Sequence, residues 1–206
     1  MGFNVLTALV IITVLISMQA MQNLEMKEKW MFSPYLVKHQ NESYRLFTHI
    51  WIHADFAHLF FNMFSLYALG GMLEQELIYT YGIVLGELHF ATIFLLGGLF
   101  ATLIPYIRNH ENPAYRSLGA SGAVSAIVFA AILWRPDMEL QFVFIPIPFK
   151  AYWFGLFYLG YEIFMDKRGN TGIAHDAHIG GAILGIVYVI FINFDKLSNF
   201  IDQFIS

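Results

Sequence analysis

The sequence predicts an all-α polytopic membrane protein, and three observations carry that expectation. Of its 206 residues 58% are hydrophobic and only 13% charged, where soluble domains carry about 25% charged residues. Its mean hydropathy is +0.59. Apolar runs that approach the roughly 30 Å thickness of a bilayer's hydrocarbon core recur between short loops. The length suits one compact bundle, so residues 1–206 are expected to form a single membrane domain. A formal net charge of −4 gives no sign of nucleic acid as a partner. The absence of cysteine excludes disulfides, a thiolate nucleophile and an iron-sulfur site.

Phe3 to Met21 is nearly all apolar and reads as an uncleaved first span. No Lys or Arg precedes Lys27, and Met18-Gln19-Ala20 matches a signal cleavage site poorly. Met1-Gly2 fails as a myristoylation signal, because Leu6 stands where Ser or Thr is needed. From Gln22 to Ala57 charges interleave with Trp30, Phe32, Tyr35, Tyr44, Phe47 and Trp51, the pattern of a structured loop in the headgroup layer. The second span is expected over His58 to Ile78 and the third over Ile83 to Tyr106. The fourth begins near Ser117 and stops at Trp134-Arg135-Pro136. Arg135 to Lys150 is a loop, since Ile145-Pro146-Ile147-Pro148 forbids continuous helix. The fifth span covers Ala151 to Phe164 and the sixth Ala174 to Phe194, ahead of a short tail. No internal repeat is visible and intramembrane charges are few, which argues against a transporter or channel.

Gly119-Ala120-Ser121-Gly122 opens the fourth span. From Ser121 to Trp134 is 14 residues, and at about 1.5 Å each they cover only about 20 Å. With Trp134-Arg135 at one interface, Ser121 is expected about 10 Å below the other. Read alone, these small residues fit an ordinary helix-packing face equally well. Alternating spans change the balance, because the second, fourth and sixth start from the same side. His58 and Asn62, four apart, share one helix face. His178 stands about 24 Å of helix from Phe194, so it too lies below the surface. Polar groups at such depth are a functional hypothesis by default.

The inventory then suggests a chemistry. A neutral histidine suits the task of taking a serine's proton near pH 7. Attack on an amide creates an oxyanion that needs fixed donors. Ser121 and His178 would form the dyad, with His58, Asn62 and the Ser121 backbone N–H around the oxyanion. Asp176, two residues from His178, points elsewhere on a helix, and no acidic third member is evident. His49, His53, Glu87 and His89 read as interfacial or packing groups, and His175 as structural or auxiliary. A zinc hydrolase drawing on His49, His53, His58, His175, His178 and Asp176 is the rival, but His-Glu-x-x-His is missing. No cofactor or metal is called for.

These residues resemble the rhomboid intramembrane serine proteases, over nearly the whole chain from Tyr44 to the last span. Gly119, Ser121 and Gly122 match the family's Gly-x-Ser-Gly, and Ala177-His178 with Gly181 and Gly185 match its Ala-His and glycine-rich helix. His58 and Asn62 match its His-x-x-x-Asn, assigned in the family to the oxyanion hole; Gly70-Gly71 and Glu74 also fit. Tyr44-Arg45 stands where Trp-Arg is frequent, and Ser125 stands where some members pack a tyrosine on the catalytic histidine. The resemblance implies a six-span bundle of the minimal bacterial type in a bacterial inner membrane. It also implies Ser121 as nucleophile, His178 as base and transmembrane protein segments as substrates, with membrane lipids as the other contact. A pseudoprotease that binds membrane clients without cutting them is the family-internal alternative, and retention of Ser121 and His178 speaks against it.

Charge and the resemblance disagree on orientation. The odd-numbered loops hold eight Lys and Arg and the other side three, which would put the mouth of the site in the cytoplasm. The family arrangement opens it outward, and we follow the family because the first loop reads as folded into the interface. Lateral substrate entry is expected beside the fifth span, short and flanked by Pro148 and Gly169-Asn170, with Trp153 and Phe157 as gate.

Overall fold

The computed structural model describes residues 4–142, 145–169 and 171–205. Met1 to Phe3, with the Met1-Gly2 pair and the start expected of the first span, lie outside the described residues, as does Asn170 of the break after the fifth. Among the described residues the regular structure is helical, apart from one hairpin and an isolated Phe32–Ser117 bridge. Helix α1 (Val5–Gln22) is followed by three short helices of the first loop, α2 (Leu24–Trp30), α3 (Pro34–Gln40) and α4 (Arg45–Thr48). Then come α5 (Phe56–Tyr81), α6 (Ile83–Phe100), α7 (Leu103–Asn109) and α8 (Ser121–Trp134). A β1–β2 hairpin (Glu139–Phe142, Ile145–Lys150) leads into α9 (Ala151–Arg168), α10 (His175–Ile192) and α11 (Asp195–Ile205). The protein is an all-α polytopic membrane protein. By length and composition α1, α5, the stretch Ile83–Asn109 and α10 each suffice to cross a membrane.

Helix α8 is the axis. Every residue from Gly122 to Trp134 is buried, which a helix apolar on all sides requires. Around it stand α5, α6 and α10, with α9 on the remaining side. The α10 face that meets α8 carries Gly181 and Gly185. A Cβ on Gly181 would lie 2.0 Å from the Gly122 carbonyl oxygen, and one on Gly185 2.1 Å from that of Ala126. The two backbones therefore touch, as the sequence led us to expect of these glycines. Helix α1 joins the same core through Leu6 and Leu9. Its first turn is held by Glu74, whose carboxylate accepts from the Leu6 N–H at 2.8 Å and from the Asn4 amide.

The spans deviate from expectation in four places, each for a local reason. The third breaks at Ala101–Thr102 into α6 and α7, because Pro105 has no N–H to offer the Ala101 carbonyl. The fifth runs on to Arg168 and stops at Gly169, φ +64°. The loop after α8 is partly a hairpin, in which Glu139 pairs with Lys150 and Leu140 with Phe149. The expected short tail is α11, whose apolar residues recur at Leu197, Phe200, Ile201, Phe204 and Ile205, one stripe of a surface helix.

Candidate active site

The segment before α8 is fastened by the first loop. Phe32 and Ser117 exchange backbone hydrogen bonds at 2.9 and 3.1 Å, and the Gly119 N–H donates to the His49 carbonyl at 3.0 Å. The Ala120 N–H donates to His53 Nε2 at 3.2 Å, while His53 Nδ1 lies 2.7 Å from the Ser17 hydroxyl. His53 is fully buried, and burial, with the charge of His58 adding to it, pushes its pKa down to about 3. It is therefore the neutral imidazole that accepts from Ala120, with Nδ1–H turned to Ser17. Burial holds His49 down to about 4. The loop itself is anchored by Arg45, which donates to the carbonyls of Glu28 and Met31, both at 2.8 Å. His49 and His53, read from sequence as interfacial or packing groups, thus set the backbone from which the nucleophile candidate emerges.

Gly119 makes the turn possible. Its φ of +123° suits only glycine, and a Cβ there would sit 2.7 Å from the His58 ring. Ser121 is the first residue of α8, so its N–H and that of Gly122 have no partner within the helix. Its hydroxyl lies 2.8 Å from His178 Nε2. His58 lies in the first turn of α5, where the Asp55 side chain caps its N–H at 2.8 Å. Asn62, one turn on, donates to the His58 carbonyl at 2.8 Å. All four residues singled out in the sequence line one cavity of about 960 Å³. Asp176 turns away from His178 to Arg108, at 3.5 Å, as its spacing required.

A second cavity, about 200 Å³, opens sideways from Ser121 between α5 and α9. Phe61, Asn62 and Ser65 line it from α5, Ser121 and Ser125 from α8, Phe154 and Tyr158 from α9. The expected gate residues are not among them: Trp153 and Phe157 stack on each other at 5.9 Å, 45% and 72% exposed on the outer face. The residues that border the opening are their neighbours Phe154 and Tyr158.

The sequence reading missed Glu162. This carboxylate, on α9, is buried with 4% of its side chain exposed. Oε2 is 2.6 Å from His175 Nδ1 and Oε1 is 3.1 Å from His178 Nδ1. The second approach lies off the Nδ1–H axis and is electrostatic, not a directed hydrogen bond. His175 is held in turn by Thr171 Oγ1, 2.9 Å from Nε2. The signal was an acid within an apolar span, itself a pointer to function. Glu162, His175 and His178 are also the one group among the described residues whose ligand atoms gather closely enough to suggest a metal, within 4.8 Å. Of those atoms, His175 Nδ1 and Glu162 Oε2 already hold each other at 2.6 Å, whereas His178 Nδ1 has no directed hydrogen bond.

The family model described as Rhomboid domain matches residues 40–193. The chain belongs to the rhomboid family. The rhomboid stretch thus runs from the last residue of α3 to the end of α10 and includes His49, His53, His58, Asn62, Ser121, Glu162, His175 and His178, while Ser17, Glu28, Met31 and Phe32 precede it. Similar proteins include RHOMBOID-like protein 12, mitochondrial, of Arabidopsis thaliana, 30% identical over 69% of this chain and 44% of its own length. The presenilin-associated rhomboid-like protein, mitochondrial, of Bos taurus is 27% identical over 66% of the chain and 35% of its own. RHOMBOID-like protein 1 of Arabidopsis thaliana is 33% identical over 47% of the chain and 22% of its own. The chain therefore spans less than half the length of these rhomboid relatives. Membership supports an intramembrane-protease type of function in an integral membrane protein.

Proposed function

We infer that this rhomboid is an intramembrane serine endopeptidase that hydrolyses a peptide bond in or near a transmembrane segment of its substrate. The observation that carries this reading is the 2.8 Å contact between Ser121 Oγ and His178 Nε2 at the foot of a polar cavity. His178 accepts the Ser121 proton as Oγ attacks the scissile carbonyl. The oxyanion faces donors from the Ser121 N–H, Asn62 Nδ2 and His58. His178 then returns the proton to the leaving amine, and water reaching the acyl-enzyme through the cavity above completes hydrolysis. A helix entering from the lipid has to unwind beside Ser121, since intact helical bonds hide its carbonyls. Residues 1–206 act here as a single six-span unit. For location, the six-span resemblance favours a bacterial inner membrane, whereas the relatives' names point to mitochondria; fractionation of cells expressing the tagged chain separates the two.

The test is incubation of purified protein with a panel of transmembrane segments. Ser121→Ala and His178→Ala each abolish cleavage, and the double variant is no worse than either, because the pair acts as one unit. A fluorophosphonate labels Ser121, and EDTA leaves cleavage intact. Full activity in either single variant defeats the serine mechanism; loss on chelation with recovery on zinc favours a metal at Glu162, His175 and His178. Binding of segments without cleavage by the wild type would make the chain a pseudoprotease.

A further inference from the structure

We propose that Glu162 is the acidic third member of this site, a positioning residue that orients His178 and balances its charge during the reaction. The inference rests on the serine reading above. Its first support is the cost of a carboxylate inside the bundle, which persists only when paired. Arg108, which lines the cavity, is taken up by Asp166 at 2.8 Å and Asp176 at 3.5 Å. Glu162 is left with two imidazoles, His175 at 2.6 Å and His178 at 3.1 Å. Its second oxygen lies beside the nitrogen of His178 opposite Ser121.

That placement has a chemical consequence. A carboxylate beside Nδ1 keeps the proton there and leaves the Nε2 lone pair for the Ser121 hydroxyl. When Nε2 takes the proton from Oγ, His178 becomes an imidazolium with an anion 3.1 Å away. Glu162 stays ionised throughout, and no proton passes to it. The off-axis approach fits a resting enzyme, since such contacts tighten once substrate is bound. The surroundings hold Glu162 to this task. His175 is fixed by Thr171 and sets its ring edge-on to His178, centroids 6.2 Å apart at 82°. Tyr158, one turn before Glu162 on α9, is close enough to Glu162 and Ser125 to interact with both electrostatically. Ser125 is small where some family members carry a tyrosine, and it lines the sideways cavity together with Tyr158 from α9.

The experiment compares Glu162→Gln, Glu162→Asp and Ser121→Ala with wild type in proteoliposomes. It measures kcat and KM on one transmembrane substrate, the rate of fluorophosphonate labelling without substrate, and the thermal midpoint. Glu162→Gln is expected to lose about 100-fold or more in both kcat and labelling rate with KM nearly unchanged, as when a triad acid is neutralised. Glu162→Asp, which keeps the charge at a greater distance, is expected to fall between the two. A merely structural role would lower the midpoint and leave the labelling rate of the folded protein alone. Should Glu162→Gln not fold, the Asp variant decides, and wild-type kcat in it overturns the proposal. Glu162→Gln with kcat and labelling within about threefold of wild type, beside an inactive Ser121→Ala, also overturns it while leaving the dyad standing. Cleavage by Ser121→Ala would instead defeat the serine reading itself.

Discussion

The two flanks of α8 are built differently. Toward α10 the backbones are in contact at Gly122–Gly181 and Ala126–Gly185, with no space for a methyl group. Toward α9 the meeting is looser and involves side chains: a Cβ on Gly155 would lie 3.3 Å from the Ile132 side chain, and Ala151, Gly155 and Glu162 are the buried residues of α9. The first flank carries Ser121 and His178, whose spacing has to hold within a few tenths of an ångström for proton transfer. The second carries the sideways cavity beside Ser121. Close backbone packing resists displacement because there is no soft side chain to yield. A side-chain contact between aromatics re-packs more readily. The site is thus fixed on one flank and able to widen on the other, and Glu162 ties the softer flank to the base.

The comparison breaks first if the tight flank tolerates bulk. Gly181→Ala puts a Cβ 2.0 Å from a carbonyl oxygen, so α10 has to move outward or unwind, at a cost of about 1–3 kcal/mol or more. His178 moves with it. Cleavage is expected to vanish and the thermal midpoint to fall, whereas Gly160→Ala on α9, with open space at its Cβ, is expected to leave both nearly unchanged. Equal effects of the two substitutions in the same assay would show the flanks to be alike.

Asn62 lines both cavities and sharpens the distinction between chemistry and entry. Asn62→Ala is expected to lower kcat by about 100-fold, as for a lost oxyanion donor, with KM little changed. A rise in KM at constant kcat would place Asn62 on the entry path instead.

Much of this site was legible because its parts are local. His58 and Asn62 are one helical turn apart, Gly119 to Gly122 are contiguous, and Ser121 opens the α8 helix that its apolar run foretold. Glu162 was not legible as a partner, since only the packing of α9 on α10 brings it to His178. His53 was opaque for the same reason: its partner is the backbone of Ala120, 67 residues on. Other misses were errors of weight. Prolines at 146 and 148 do forbid helix, but a short two-stranded hairpin accepts proline at its edges. The stripe from Leu197 to Ile205 has helical spacing and was passed over as tail.

The softer flank gives a smaller, more selective effect. Phe154 borders the sideways cavity and stacks on Tyr158 at 5.7 Å. Phe154→Ala is expected to speed cleavage of a helical substrate by a few-fold. The same substrate carrying Gly-Pro near the cut site, already unwound, is expected to gain less. Trp153→Ala, on the outer face, is expected to change neither. Equal acceleration in the two variants would restore the gate to the outer pair.

The smallest expected effect concerns acid. Burial holds His53 at about 3 and His49 at about 4, against roughly 6.5 when unfolded. Below about 6.5 the unfolded chain binds protons that the folded one refuses, so stability is complete above that pH and declines as pH falls toward 4 and 3. The thermal midpoint in detergent is expected to be lower at pH 5 than at pH 7.5. Carboxylates and His178 titrate as well, so the informative quantity is the difference between wild type and His53→Gln. Glutamine offers an acceptor to the Ala120 N–H and a donor to Ser17 but carries no titrating proton. Part of the fall between pH 7.5 and pH 5 should therefore disappear in this variant. An identical fall in both proteins would mean that His53 is hydrated in the working protein and that the first loop does not clamp the segment leading to Ser121.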